Sequence, residues 1–189
     1  MIPDNLIYIS IPRCATHTMH KIFDTQRAYN HMPLKHIYKV YEGDIKQAYK
    51  VVVVRNPFDH IESFYKYHKG LDYKFKGKEL YNTRFDRWVT SGCRTHWKYY
   101  GHLVNDPFNQ VGFITNDNNI GETHIDVDLI IKFEELSTSL KQHFNIDSNH
   151  IPKLNRSKKI DVEWSDRAIK FVQQKYKDQF KILGYNTHK

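Results

Sequence analysis

Leu6 to Ile11 is a short apolar run rich in β-branched and aromatic side chains, which predicts a buried strand. Pro12 stops it, because proline cannot donate to a central ladder. From about Thr16 the period turns helical, with Met19, Ile22, Phe23 and Gln26 at i, i+3, i+4 and i+7. Pro33 and its polar neighbours predict a loop, followed by a short strand at Leu34 to Val40. Lys50 to Arg55 encloses four consecutive valines without polar alternation, the pattern of a parallel strand covered on both faces. Asn56-Pro57-Phe58-Asp59 then opens a helix: Asn56 can cap, Pro57 suits the first helical position, and an acid follows three residues after the cap.

The pattern is weaker from Gly70 to Asn105, where Arg84 to Thr90 predicts a short helix with Phe85, Trp88 and Val89 on one side. Val111 to Thr115 and Val127 to Phe133 predict strands, separated by a polar turn through Asn116 and Asn119. A helix is expected over Glu134 to Phe144, aligned through Leu136, Leu140 and Phe144. The last one is expected over Ser165 to Leu183, ended by Gly184. Strands alternating with helices predict an α/β fold in which helices flank a central parallel sheet of about four or five strands. No repeat, low-complexity tract or linker interrupts it, so residues 1–189 are read as one domain.

Composition narrows the class. The 189 residues are 40% hydrophobic and 14% aromatic, which suits a globular core. The first apolar run is too short for a signal peptide, and no stretch is long enough to span a bilayer, so a soluble cytoplasmic protein with no membrane partner is expected. Two cysteines, Cys14 and Cys93, are too few for a disulfide scaffold or a zinc cluster. The formal charge of +8 implies an anionic partner. Nucleic acid is one candidate. However, the basic residues are scattered and show no nucleic-acid-binding motif, and a multiply charged nucleotide fits the charge as well.

The first turn offers specific chemistry. A strand, a turn of small residues and a helix bring several backbone N–H groups and the positive end of a helix dipole to one point, a seat for phosphate or sulfate. Arg13 would add charge there, and the hydroxyls of Thr16 and Thr18 would add donors. The G-x-x-x-x-G-K-[ST] pattern and its lysine are absent, so this is not a Walker A loop.

Pro12-Arg13-Cys14-Ala15-Thr16-His17-Thr18 instead resembles the P-[KR]-x-[GA]-T-x-[ST] loop that sulfotransferases place around the 5′-phosphosulfate of 3′-phosphoadenosine 5′-phosphosulfate (PAPS). Arg55-Asn56-Pro57-Phe58-Asp59-His60-Ile61-Glu62-Ser63-Phe64-Tyr65 resembles the R-N-P-[FWY]-D-R-x-x-S-x-[YF] segment of the same family, departing at His60. Ile130 to Leu136 is similar to its i-x-[RK]-F-E-x-L segment. Ile151 to Lys158 is similar to its l-P-x-x-N-x-S loop, and Tyr176 to Tyr185 to its closing Y-x-x-D-[FY]…[FL]-G-Y. The resemblance runs through most of the chain and is weakest from Gly70 to Asn105.

It implies a P-loop NTPase-like three-layer fold and a PAPS-dependent sulfotransferase of the carbohydrate type, a small bacterial or viral member, with adenosine 3′,5′-bisphosphate as product and no metal. Arg13, Cys14, Ala15, Thr16, His17 and Thr18 would hold the phosphosulfate, and Arg55 and Ser63 the 3′-phosphate. The loop with Asn155 and Lys158 would close over the cosubstrate. The acceptor would be a small molecule or glycan.

Sulfuryl transfer needs in-line positioning, a cation at the leaving phosphate and a base for the acceptor hydroxyl. Arg13 is the expected cation; it keeps the charge of the family's commoner lysine but is a poor proton donor. Ala15, where glycine is commoner, calls for a backbone that tolerates a Cβ. Cys14, beside a helix N-terminus, is a candidate for a lowered thiol pKa but is given no role beyond the turn. Histidine suits the base, and among 12 of them His36 is expected, with His31 and His17 in reserve. His96, Trp97, Tyr99, Tyr100 and His102 are candidates to line an acceptor pocket, or else core. The rival readings are a nucleotide-dependent phosphotransferase and a non-catalytic basic nucleotide- or nucleic-acid-binding protein.

Overall fold

The computed structural model describes residues 1–25, 29–99, 103–104, 106–115, 124–152, 154, 157 and 159–189. The regular elements in chain order are β1 (Leu6–Ile9), α1 (Thr16–Phe23), α2 (Leu34–Val40), β2 (Tyr49–Val54), α3 (Pro57–Lys69), α4 (Phe85–Thr90), α5 (Val111–Ile114), β3 (Leu129–Lys132), α6 (Leu136–Phe144), α7 (Asp166–Lys175) and α8 (Lys177–Ile182). They fall into two compact units, residues 1–55 with 110–155 and residues 56–109 with 156–189.

The first unit holds a parallel sheet in the order β1-β2-β3. Leu6 stands opposite Tyr49 and Val54 opposite Lys132, so the carboxyl ends of the strands lie at one edge. The fold class is therefore α/β, with three described strands rather than four or five. The difference lies in two segments. Leu34 to Val40 is helical: the extended Pro33 (ψ 148°) leads in, and only Leu34 and Ile37, three apart, are buried. Val111 to Ile114 is a single helical turn, and Thr115 alone makes a β-bridge, to Ile125. Short apolar runs of this kind do not distinguish strand from helix by period.

Val51 to Val54 are fully buried in the central strand, as an unbroken apolar run requires. Met19 and Phe23 of α1 are buried, and Phe23 meets Phe144 of α6 edge to face with centroids 5.0 Å apart. Gln26, expected on the same stripe, lies outside the described residues, as does the polar turn at 116–119. At the opposite end of β2, buried Lys50 reaches Asp126 at 3.7 Å and Asp128 at 3.8 Å. The Tyr38 hydroxyl donates to Asp126, which ties α2 to the same cluster.

In the second unit, Asn56 Oδ1 accepts the Phe58 N–H over 3.0 Å and Pro57 occupies the first turn of α3. Phe58, Ile61, Phe64 and Tyr65 turn inward and pack with Phe85, Trp88 and Phe108, for example Phe64 on Phe108 at 4.9 Å and Tyr65 on Phe85 at 5.1 Å. Lys78 Nζ donates to the carbonyls of His68, Lys69 and Leu71 at 2.8, 3.0 and 2.6 Å, closing the carboxyl end of α3. The expected final helix is two, broken at Tyr176 (φ −113°, ψ 23°), whose hydroxyl donates to the Asp106 carboxylate. Gly184, at φ 64°, terminates α8. No helix among the described residues is long and apolar enough to cross a membrane.

Candidate functional site

The site is built where β1, β2 and β3 end. Past Ile9 the chain turns through Arg13 (φ 61°) and Ala15 (φ 58°), both left-handed, with Cys14 between them at negative φ. Such alternation directs successive N–H groups toward one concavity. Cys14 N–H donates to Ile11 O at 3.2 Å, tightening the turn, and the first backbone bond of α1 is donated by Met19 to Ala15 O. The N–H groups of Ala15 and Thr16 therefore precede the helix ladder. Beneath them the Tyr8 hydroxyl donates to Cys14 O over 3.1 Å.

The threonine hydroxyls face elsewhere. Thr16 Oγ1 donates to Ile11 O at 2.8 Å and Thr18 Oγ1 to Pro152 O at 2.9 Å. Their protons are committed to carbonyls, so the donors offered by the turn are its backbone and its arginine. Thr16 thus fixes the turn from inside, and Thr18 ties α1 to the Ile151-Pro152 segment.

Arg55 follows the last residue of β2 and gathers the other strand ends. Its Nη1 donates to Arg13 O at 3.3 Å, and its guanidinium lies 4.4 Å from the centroid of Phe133, the residue after β3. Its buried Nε has no hydrogen-bond partner among the described residues. One cation therefore stands at the carboxyl ends of all three strands, where open α/β sheets bind ligands. The Arg55 guanidinium thus meets the Arg13 backbone at this edge.

Gln110, which the sequence reading passed over, holds this arrangement. Fully buried, it accepts the Arg55 N–H at Oε1 (2.8 Å) and donates from Nε2 to Arg55 O (2.7 Å), pairing with the backbone as a neighbouring strand would. The same Oε1 lies 3.7 Å from Cys14 Sγ. A glutamine just before a short apolar run gave no periodic signal for this role. Cys14 is not activated: burial pushes its thiol up to about 12, with Glu134 adding to the rise and Arg55 and Arg13 opposing it.

His17 is half-buried in the first turn of α1. His31 is tied to Ser10 at the end of β1, its N–H donating to Ser10 Oγ at 2.7 Å. His36 stands half-buried on α2, its pKa lowered by partial burial and by Lys35 and Lys39; no hydrogen bond to its ring is found among the described residues. Ser63 belongs to the second unit, buried on α3, where its carbonyl accepts from Ser157 Oγ at 3.3 Å. Asn155 and Lys158 lie outside the described residues, as do Tyr100 and His102. Of the aromatic candidates, Trp97 is buried, and the His96 ring meets Phe64, Phe75 and Tyr81 in the core of the second unit. Among the described residues, no group of three or more His, Cys, Asp and Glu side chains is placed to hold a metal ion. No family model matches the chain, and no curated protein or solved structure matches it.

Proposed function

We propose that the chain is a PAPS-dependent sulfotransferase, moving a sulfuryl group onto an acceptor hydroxyl, with saccharides as the acceptor class and the cytoplasm as its compartment. The observation that supports this most is the meeting of Arg55 with the left-handed Arg13–Ala15 turn at the carboxyl ends of three parallel strands. A fixed cation beside a group of backbone donors suits a doubly charged nucleotide. In this proposal the turn and Arg13 bind the phosphosulfate, with Arg13 countering charge on the leaving phosphate. Arg55 binds the 3′-phosphate. Ser63, Asn155 and Lys158 enter through the sequence resemblance.

Titration calorimetry tests the proposal: adenosine 3′,5′-bisphosphate should bind at least tenfold more tightly than ATP, because the 3′-phosphate has its own cation. Arg55→Ala should weaken bisphosphate binding about 10- to 100-fold, the worth of a charge-assisted contact, with a smaller effect on the urea midpoint. Equal affinity for the two nucleotides, or unchanged binding by the variant, removes the proposal in favour of a phosphotransferase or a general anion binder.

A further inference from the structure

Ser10, fully buried one residue beyond β1, holds His31 at two points. The His31 N–H donates to Ser10 Oγ at 2.7 Å, and His31 Nδ1 lies 3.2 Å from Ser10 O. A carbonyl oxygen can only accept, so the proton of this second contact belongs to Nδ1. Whenever the ring is neutral, Nε2 then carries its lone pair. Ser10 Oγ donates its own proton to Asn30 Oδ1 at 3.2 Å, which leaves a lone pair for the His31 N–H. His31 also adopts φ 57°, a left-handed conformation costing a residue with a Cβ about 1–2 kcal/mol and one that persists where the surroundings over-determine it. Ser10 is three residues from Arg13, so their Cα atoms are at most about 11 Å apart. The imidazole is thus tethered to Ser10, just past the carboxyl end of β1, with its tautomer set.

We propose that His31, rather than His36, is the general base of the transfer, an assignment that rests on the sulfotransferase proposal. His31 Nε2 takes the proton of the acceptor hydroxyl as that oxygen bonds to sulfur. The bond from sulfur to the 5′-phosphate oxygen breaks, its electron pair staying on the phosphate beside Arg13. The imidazolium passes its proton to water. His36 offers none of this pre-organisation: it stands half-buried on α2 between Lys35 and Lys39, and among the described residues no hydrogen bond fixes its tautomer.

Two measurements test the assignment. Long-range ¹H–¹⁵N correlation of the histidine rings at pH 8, with His31 assigned by the signal lost in His31→Asn, should show a protonated Nδ1 and a bare Nε2. The opposite tautomer overturns the assignment. Next, transfer from labelled PAPS to a panel of mono- and disaccharides, and to water, is compared among the parent, His31→Asn, His31→Gly and His36→Gln. Asparagine and glycine both accept positive φ, which keeps the backbone in place. The expected results are a 100-fold or greater fall in kcat for both His31 variants, bisphosphate affinity within about threefold of the parent, partial rescue of His31→Gly by added imidazole, and full activity in His36→Gln. Turnover retained without His31, or lost with His36, overturns the assignment. A parent that fails to bind the bisphosphate removes the enzyme proposal and this one together. A parent that binds it but transfers to nothing removes the base and leaves the nucleotide site standing.

Discussion

At the scale of single residues, Gln110 fixes the backbone where β2 ends. Its amide satisfies both polar atoms of the Arg55 backbone with no solvent to replace it. Gln110→Ala should cost about 2–4 kcal/mol in urea unfolding, because two backbone groups lose their partner and a void opens. Gln110→Glu should be no milder: a carboxylate still accepts from Arg55 N–H but cannot donate to Arg55 O, and it buries a charge. The two thiols report on pH. Burial pushes both Cys14 and Cys93 up to about 12. Between the ordinary thiol value near 9 and that raised value, the unfolded chain has lost protons that the folded chain keeps. Their stabilising effect is complete below pH 9 and disappears as the pH climbs toward 12. Thermal melts should therefore fall above pH 9, less steeply in Cys14→Ala, and a thiol reagent at pH 8 should react only as the chain unfolds.

At the scale of elements, local chemistry decided how far the sequence could be read. The starts of α1 and α3, the four-valine strand and the stop at Gly184 all follow from residues acting on their immediate neighbours, and each was legible. Leu34 to Val40 and Val111 to Thr115 were not, because five to seven residues with three or four apolar members satisfy both periods. The break at Tyr176 was not legible either, since no glycine or proline marks it and the Asp106 carboxylate that its hydroxyl meets lies far away in sequence. The same holds within the site: the arginines and the turn stood out as motifs, whereas Gln110 and the Ser10–His31 pair are tertiary. Lys78 gives a test at this scale. Its ammonium closes three carbonyls at the end of α3, so Lys78→Met should destabilise by about 1–3 kcal/mol in urea unfolding. The same change at Lys74, for which no such contact is found among the described residues, should alter stability by less than about 0.5 kcal/mol.

At the scale of the whole molecule, the formal charge of +8 sets how binding responds to salt. The screening length falls from about 30 Å at 0.01 M to about 8 Å at 0.15 M. Distant lysines then cease to help, while Arg13 and Arg55 still act at contact range. Affinity for adenosine 3′,5′-bisphosphate should fall several-fold over that interval and then level off, and a continuing steep decline would indicate diffuse attraction only. Connectivity has a further consequence. The chain leaves the first unit after Arg55 and re-enters it at Gln110, and these two residues are hydrogen-bonded to each other. The intervening stretch is an excursion with stapled ends, so changes of length in its loops beyond α3 leave the end of β2 held in register by the Arg55–Gln110 pair.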